Sequence, residues 1–193
     1  MVQKNPITKF KADSRKDDYI ICYDGLWSHK NYKTWKDFLT DSAKLRTYFR
    51  ESKIENYVLH CEDNWYFLCT FIALLQCKKS VYITQTISES YMAEILNSET
   101  EFITDKNVGK SIKSTLIPDL IQKIQMPSEA EIRNTPAITG SDSKIYLYTS
   151  GSTGKPKAIL HNLEEIEKDN NTVISIWGDE YFKRKLITTV SQH

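Results

Sequence analysis

The stretch from residue 57 to residue 104 alternates apolar, strand-like runs with helix-like runs, and this alternation most constrains the fold. The strand-like runs are residues 57–61, 80–84 and 101–104. The helix-like runs are residues 64–76, with Asn64 as its predicted cap, and 88–97. Strands that alternate with helices usually pair in parallel, because a helical crossover returns the chain to the same edge. The sequence therefore predicts an α/β fold with a layered, mostly parallel sheet and flanking helices.

The N-terminal part carries its own signals. Residues 1–18 are polar and charged, which predicts a flexible segment, and residues 19–23 predict a strand that turns back into a second strand over 26–28. Thr34 can cap the helix that follows, and Asp37, three residues later, completes a capping box. The sequence thus predicts a hairpin followed by a helix ahead of the alternating region.

Composition excludes several classes of protein. The chain has 193 residues and a net charge of +1, without a dense basic patch, so we expect no nucleic-acid partner. Its four cysteines have no zinc-like spacing and are expected to be free, largely buried thiols. The longest apolar run, residues 65–75, is too short to span a bilayer. With no apolar signal segment at the N-terminus, the sequence predicts a cytoplasmic protein without a membrane span.

A glycine- and hydroxyl-rich segment follows an apolar strand near the end of the chain. Residues 148–157 read YTSGSTGKPK, after a predicted strand over 144–148 and before another over 158–161. Glycine lets the backbone approach a ligand, and successive free amides form a concave anion site. Each charge-assisted hydrogen bond to a phosphate contributes roughly 1.5–3 kcal/mol. The segment is therefore interpreted as a polyphosphate-binding loop.

Two common nucleotide-binding motifs do not fit this loop. In the Walker A pattern a glycine stands five residues before the Gly-Lys pair, where this chain has Thr149, and a Ser or Thr follows, where it has Pro156. The GxGxxG pattern of dinucleotide-binding folds is also absent. A P-loop kinase, a GTPase and a dinucleotide-binding dehydrogenase are therefore disfavoured.

The loop resembles the phosphate-binding signature of the adenylate-forming enzymes, which include acyl-CoA synthetases, nonribosomal peptide adenylation domains and luciferases. All ten residues of 148–157 match that signature, and the strand over 158–161 resembles the one that follows it in the family. The hairpin leading to Thr34 and the strand-helix-strand unit over 57–84 also resemble family segments. The resemblance places nearly the whole chain on the N-terminal part of the family's large domain.

The resemblance implies an activity, cofactors and partners. The family joins a carboxylic acid to ATP, with Mg²⁺, to give an acyl-adenylate and pyrophosphate, and a thiol of coenzyme A or phosphopantetheine then takes the acyl group. The residues implied to wrap the β- and γ-phosphates are Thr149, Ser150, Gly151, Ser152, Thr153 and Gly154. Lys157 is implied to neutralise charge that builds on the leaving pyrophosphate, which is electrostatic rather than covalent catalysis. No residue is assigned to a metal.

The predicted organisation has three parts. They are residues 1–18, a flexible N-terminus; 19–139, an N-terminal α/β subdomain; and 140–193, the phosphate-loop segment with the start of a second, truncated subdomain. An apolar strand is expected over 186–190, and residues 191–193 resemble the start of a family segment whose histidine or aromatic residue lines the acyl pocket. A helix is expected from Asn162, with Glu165 in its first turn, to about residue 176.

Three further motifs of the resembled family cannot be placed in this sequence. They are a tyrosine-glycine-x-threonine-glutamate segment, a ribose-binding aspartate and a late lysine. We therefore expect an N-terminal fragment of a carboxylate-activating ligase that forms no acyl-adenylate alone. Two alternatives stay open: a catalytically dead nucleotide- or protein-binding module, and a fragment that self-associates through surface that other parts of the enzyme would cover.

Overall fold

The computed structural model describes residues 7–23, 31–109, 111–150 and 156–181. The strands are β1 (Ile20–Tyr23), β2 (Tyr32–Thr34), β3 (Asn56–His60), β4 (Ser80–Ile83), β5 (Thr100–Thr104), β6 (Thr115–Leu116), β7 (Ile145–Ser150) and β8 (Pro156–His161). The helices are α1 (Trp35–Glu51), α2 (Asn64–Gln76), α3 (Glu89–Ile95), α4 (Ile117–Lys123), α5 (Glu129–Arg133) and α6 (Leu163–Tyr181). Three predicted features lie outside the described residues: the strand over 26–28, the central part of the phosphate loop over 151–155, and the terminal strand over 186–190 with residues 191–193.

Six of the strands form one sheet in the order β6-β5-β3-β4-β7-β8. All its neighbouring strands pair in parallel except β7 and β8, which are antiparallel. The chain moves from β3 to β4 on one side, and then crosses to β5 on the other side of β3. The predicted α/β class with a mostly parallel sheet is confirmed.

Helices cover both faces of this sheet. Successive side chains of a strand point to opposite faces, so each strand contributes to two cores. The larger core lies against α1, α2, α4 and α5, and its strand members are Tyr57, Leu59, Val81, Ile103 and Ile145. The smaller core lies under α3 and contains Val58, Met92, Ile95, Phe102 and Ile112. Both faces of the central strands are therefore buried, which explains why their sequences are continuously apolar.

Two of the helix starts predicted from capping residues have different outcomes. Thr34 accepts a hydrogen bond from the Asp37 backbone amide (3.2 Å), and the Asp37 carboxylate accepts one from the Thr34 amide (2.8 Å), so the predicted capping box is confirmed. The prediction of Asn64 as a cap is wrong. Asp63 caps α2 by accepting from the Trp65 amide at 2.7 Å, and Asn64 is the first helical residue. An ionised carboxylate one residue earlier satisfies the free amide and suits the positive end of the helix.

Residues 7–18, within the segment predicted to be flexible, pack on the larger core. Two short 3-10 turns, Ile7–Lys9 and Ala12–Ser14, bring Phe10 and the buried Ala12 against it. The indole Nε1 of Trp35 donates to the Ala12 carbonyl at 2.8 Å. The segment therefore covers the first turn of α1. The three-part division of the chain stays a prediction.

None of the four cysteines forms a disulfide, and Cys61 and Cys69 are buried, as the sequence predicts. Cys22 and Cys77 are half-buried. In the described parts of the chain, each helix is too short or too polar to cross a membrane.

We expect Gly140→Ala to lower the free energy of unfolding by about 1–2 kcal/mol. A Cβ at Gly140 would lie 2.9 Å from Thr8 Cγ2 and 3.3 Å from the Glu164 backbone nitrogen. Thr8 cannot easily move, because its amide and hydroxyl both donate to the Glu167 carboxylate, at 3.0 and 2.9 Å. Urea denaturation measures the change. Ser141→Ala, at an exposed neighbour, is the control, and equal midpoints for the two variants would contradict the steric argument.

A second prediction concerns Asp41, whose carboxylate accepts a hydrogen bond from Trp65 Nε1 at 3.0 Å. Burial raises the pKa of Asp41 above its ordinary value of 3.8. The folded state therefore holds this proton more tightly than the unfolded state, and ionisation costs stability as the pH rises through 3.8 and then through the raised pKa.

We accordingly expect Asp41→Asn, which keeps an acceptor for Trp65 but cannot ionise, to gain stability relative to the wild type between about pH 3 and pH 7. Thermal unfolding across this range measures the difference. Asp119→Asn, at an exposed carboxylate 3.8 Å from Lys123, is the control. A difference between Asp41→Asn and the wild type that stays constant with pH would show that Asp41 titrates normally.

Candidate functional site

The carboxyl ends of the parallel strands meet at one edge of the sheet, where folds of this kind bind ligands. The chain leaves β3 toward β4 and leaves β5 toward β6, in opposite directions, so a crevice is expected between β3 and β5. The amino end of α2 lies here and offers backbone amides to an anion. A ligand site is therefore expected at this edge.

Carboxylates of the chain itself already bind backbone amides at and just before this end of α2. Asp105, directly after β5, accepts hydrogen bonds from the backbone amides of Glu62 (3.1 Å) and Asp63 (2.6 Å), just before α2. Lys106 forms an ion pair with Glu62 beside it. A ligand phosphate at this end of α2 would have to displace Asp105 and approach two further carboxylates. The β3–β5 half of the edge is thus closed to anions.

A nucleophilic thiol is also disfavoured at this half of the edge. Cys61, directly after β3, is buried, and burial raises its pKa, with Asp105 and Asp63 acting in the same direction. A raised thiol pKa keeps the sulfur protonated and unreactive. His60 is buried and its Nδ1 lies 3.0 Å from the Thr84 carbonyl oxygen, as expected for a core histidine.

The other half of the edge is formed by the β7–β8 hairpin, which frames the predicted phosphate loop. The two strands pair in continuous register from Ile145 opposite His161 to Ser150 opposite Pro156. Residues 151–155 connect the strands, so the loop begins and ends at adjacent, paired strand ends. The predicted ligands Gly151, Ser152, Thr153 and Gly154 lie outside the described residues.

The remaining predicted site residues lie on the two strands. Thr149 and Ser150 are the last residues of β7, and Lys157 is the second residue of β8, opposite Thr149 in register. Lys157 is exposed. The hairpin therefore brings the ends of the predicted loop and its predicted catalytic lysine together, while their roles stay predictions.

Exposed apolar side chains lie next to Lys157. Leu147 and Ile159 are opposite each other in register, one pleat from the Thr149–Lys157 pair and on the same face, and they are 37% and 40% exposed. Leu160, on the other face of β8, is 55% exposed. The hairpin thus combines a cation with uncovered apolar surface.

Sequence reasoning missed two features of this edge. Asp105 lies more than 40 residues from the amides that it binds, so no local spacing could reveal it. Tyr146 and Tyr148 are two residues apart on β7 and so lie on the same face. They contact Tyr82 and Tyr91 on the α3 side of the sheet. The spacing of two between Tyr146 and Tyr148 was a usable signal, but their partners come from distant segments.

No protein-family model and no curated protein sequence matches the chain. Several solved structures do. The N-terminal subdomain of Klebsiella oxytoca NpsA, in complex with 3-hydroxyanthranilyl-AMSN, superposes with a TM-score of 0.58 at 21% identity, over 78% of this chain and 38% of that one. The o-succinylbenzoate CoA synthetase MenE from Bacillus subtilis, bound with its product analogue OSB-NCoA, gives a TM-score of 0.66 at 13% identity, over 91% and 37%.

The adenylation domain of a keto acid-selecting NRPS module, bound to a keto acyl adenylate, gives a TM-score of 0.59 at 11% identity, over 86% of this chain and 33% of that one. The chain has the fold of the N-terminal part of the adenylate-forming enzymes. The resemblance found in the sequence is therefore confirmed for the fold. The chain spans between 33% and 38% of the length of these three structures.

We expect Asp105→Asn to lower the free energy of unfolding by about 1–2 kcal/mol. An amide side chain can accept from only one of the two backbone amides with its oxygen, and its NH₂ group would face the other donor. Urea denaturation gives the change, with Asp119→Asn as the charge-matched control at an exposed site. If the two variants are equally stable, the Asp105 contacts contribute nothing and this half of the edge is not closed by them.

Proposed function

We propose that the chain is the N-terminal, phosphate-binding part of an ATP-dependent, carboxylate-activating ligase. The observation that carries the proposal is the match of residues 148–157 to the family signature, at the tip of a hairpin on the carboxyl edge of an adenylate-forming fold. The motif and the fold are independent lines of support, because the structural neighbours share only 11–22% identity with the chain.

In this proposal the loop holds the β- and γ-phosphates of ATP. Backbone amides of residues 149–154 and the hydroxyls of Thr149, Ser150, Ser152 and Thr153 would donate hydrogen bonds to phosphate oxygens. Mg²⁺ would enter with ATP and neutralise part of the phosphate charge, and no residue of this chain is assigned to hold it. The proximity of the paired strand ends supports this role, because a short connection holds its amides close together.

Lys157 would stabilise the charge that develops during transfer. A carboxylate oxygen of the substrate attacks the α-phosphorus of ATP, the bond to the bridging oxygen breaks, and pyrophosphate leaves with the electron pair. An exposed ammonium group beside the loop favours this step electrostatically without forming a bond. A thiol of coenzyme A or phosphopantetheine would then take the acyl group and release AMP.

The ligands bound to the structural neighbours support the nucleotide and acyl parts of the proposal. MenE of Bacillus subtilis has been solved with an acyl-adenylate and with AMP, and the NpsA subdomain with 3-hydroxybenzoyl-AMSN. These ligands belong to those proteins, and they differ in their acyl groups. The identity of the carboxylic acid and of the thiol acceptor is left open in the proposal, and a cytoplasmic location stays a prediction.

Titration of the chain with ATP in the presence of Mg²⁺, followed by calorimetry, tests the proposal. We expect binding that Lys157→Ala weakens roughly ten- to hundredfold, the effect of losing one charge-assisted contact to phosphate. Lys53→Ala removes the same charge from an exposed residue just before β3, at the opposite edge of the sheet, and should leave the affinity unchanged.

The outcomes separate the proposal from its alternatives. Equal weakening by Lys157→Ala and Lys53→Ala would indicate general electrostatic attraction rather than a phosphate site. Binding by the wild type without ATP–pyrophosphate exchange, even when the rest of an adenylate-forming enzyme is supplied, would favour a nucleotide-binding module without catalysis. No binding at millimolar ATP would contradict the phosphate-site assignment for this chain.

A further inference from the structure

Four tyrosines pack together beside the strand that leads into the predicted phosphate loop. The tyrosine cluster consists of Tyr82 on β4, Tyr91 on α3, and Tyr146 and Tyr148 on β7. The rings of Tyr82 and Tyr146 are stacked, with centroids 4.2 Å apart and planes inclined by 4°. The Tyr148 ring lies 6.1 Å from the rings of both Tyr82 and Tyr91, edge-on to the latter. Such pairs stabilise a fold beyond the burial of their area.

The backbone pairing of β7 makes the position of Tyr148 distinctive. β4 pairs with β7 from Val81 opposite Ile145 to Ile83 opposite Leu147, and there β4 ends. From Tyr148 to Ser150, the described strand that pairs with β7 is β8. The tip of the hairpin therefore projects beyond β4, and Tyr148 is the first residue of the projecting part.

The contacts of Tyr148 tie this projecting tip to the body of the fold. Its ring reaches back to Tyr82 on β4 and across to Tyr91 on α3, two elements that flank the hairpin. The side chain is half-buried, and burial raises the pKa of Tyr148 to about 12, with Tyr82 and Tyr91 adding to the effect. The hydroxyl is therefore neutral at physiological pH, so the contribution of Tyr148 is packing rather than charge.

We propose that Tyr148 is a positioning residue for the end of β7, which carries the proposed phosphate ligands Thr149 and Ser150, because its ring fixes this end against β4 and α3. The inference rests on the proposed function for its effect on ATP, but its effect on the hairpin can be measured without ligand. Donors at a fixed strand end keep their position relative to a bound phosphate, and displaced donors bind it less well.

Tyr146 provides a matched control for Tyr148. It lies two residues earlier on the same face of β7 and stacks on the same Tyr82, but it lies where β4 still pairs with the strand. Tyr146→Leu and Tyr148→Leu therefore remove similar rings from the same cluster, one within the sheet and one at the projecting tip. Tyr148→Phe keeps the ring and removes only the hydroxyl.

Amide hydrogen exchange of a peptide covering residues 149–158 tests the inference directly. We expect Tyr148→Leu to speed exchange in this peptide at least about tenfold by increasing local opening, and Tyr148→Phe to restore the wild-type rate. Tyr146→Leu should lower the melting temperature of the protein about as much as Tyr148→Leu does. It should nevertheless leave the exchange of this peptide unchanged. Equal exchange in Tyr146→Leu and Tyr148→Leu would overturn the inference.

ATP affinity provides the second readout. We expect Tyr148→Leu to weaken Mg²⁺-ATP binding about tenfold, and Tyr146→Leu and Tyr148→Phe to leave it near the wild-type value. Wild-type affinity in Tyr148→Leu would overturn the inference while leaving the proposed function intact. A wild-type chain that binds no ATP would overturn the proposed function, while faster exchange in Tyr148→Leu would still show that Tyr148 fixes the hairpin tip.

Discussion

Parallel pairing of β3 on both of its edges is the constraint on which the rest of the structure depends. Asn56 of β3 is opposite Ser80 of β4 on one side and Thr100 of β5 on the other. A parallel strand can be reached only by a crossover, so a helix-length segment must follow each strand. These crossovers cover both faces of the sheet, which requires side chains of both parities to be apolar. The alternation of apolar strand-like runs with helix-like runs in the sequence follows from this requirement.

The same pairing brings the carboxyl ends of the strands to one edge of the sheet. The two halves of that edge differ in the charges that they present to a ligand. Near β3 and β5, Asp105 satisfies the free amides and the surrounding carboxylates repel anions. Near β7 and β8 the paired strand ends carry Thr149, Ser150 and the exposed Lys157. The proposed ligand position therefore rests on which amides the protein has already satisfied, as well as on the topology of the sheet.

The elements that could be predicted from the sequence are those with local causes. The capping boxes at Thr34 and at Asn162 depend on residues three apart, and both are found, although the helix at Asn162 extends to Tyr181 rather than ending near 176. The central strands were predicted within one residue at each end, because they are buried on both faces. The signature motif likewise depends on ten consecutive residues.

The elements that could not be predicted depend on distant partners. Strand β6 has two residues and exists only by pairing with β5, and the short helices α4 and α5 lie in a stretch without clear periodicity. The side chains of both Asp63 and Asn64 can cap a helix. Asp63 is the cap because the backbone hydrogen bonds of α2 begin there, and the sequence does not show where they begin. The tyrosine cluster joins β4, α3 and β7, and a single sequence does not reveal such contacts.

The antiparallel pairing of β8 has a consequence for the order of folding. Ser150 and Pro156 are six positions apart, whereas Val81 and Ile145, paired between β4 and β7, are separated by most of the chain's midsection. Closing a short loop costs little chain entropy, and hairpins form in about 1–10 μs, whereas long-range parallel pairs form much later. The segment that carries the phosphate signature can thus assemble as a local unit, and its attachment to β4 completes the edge.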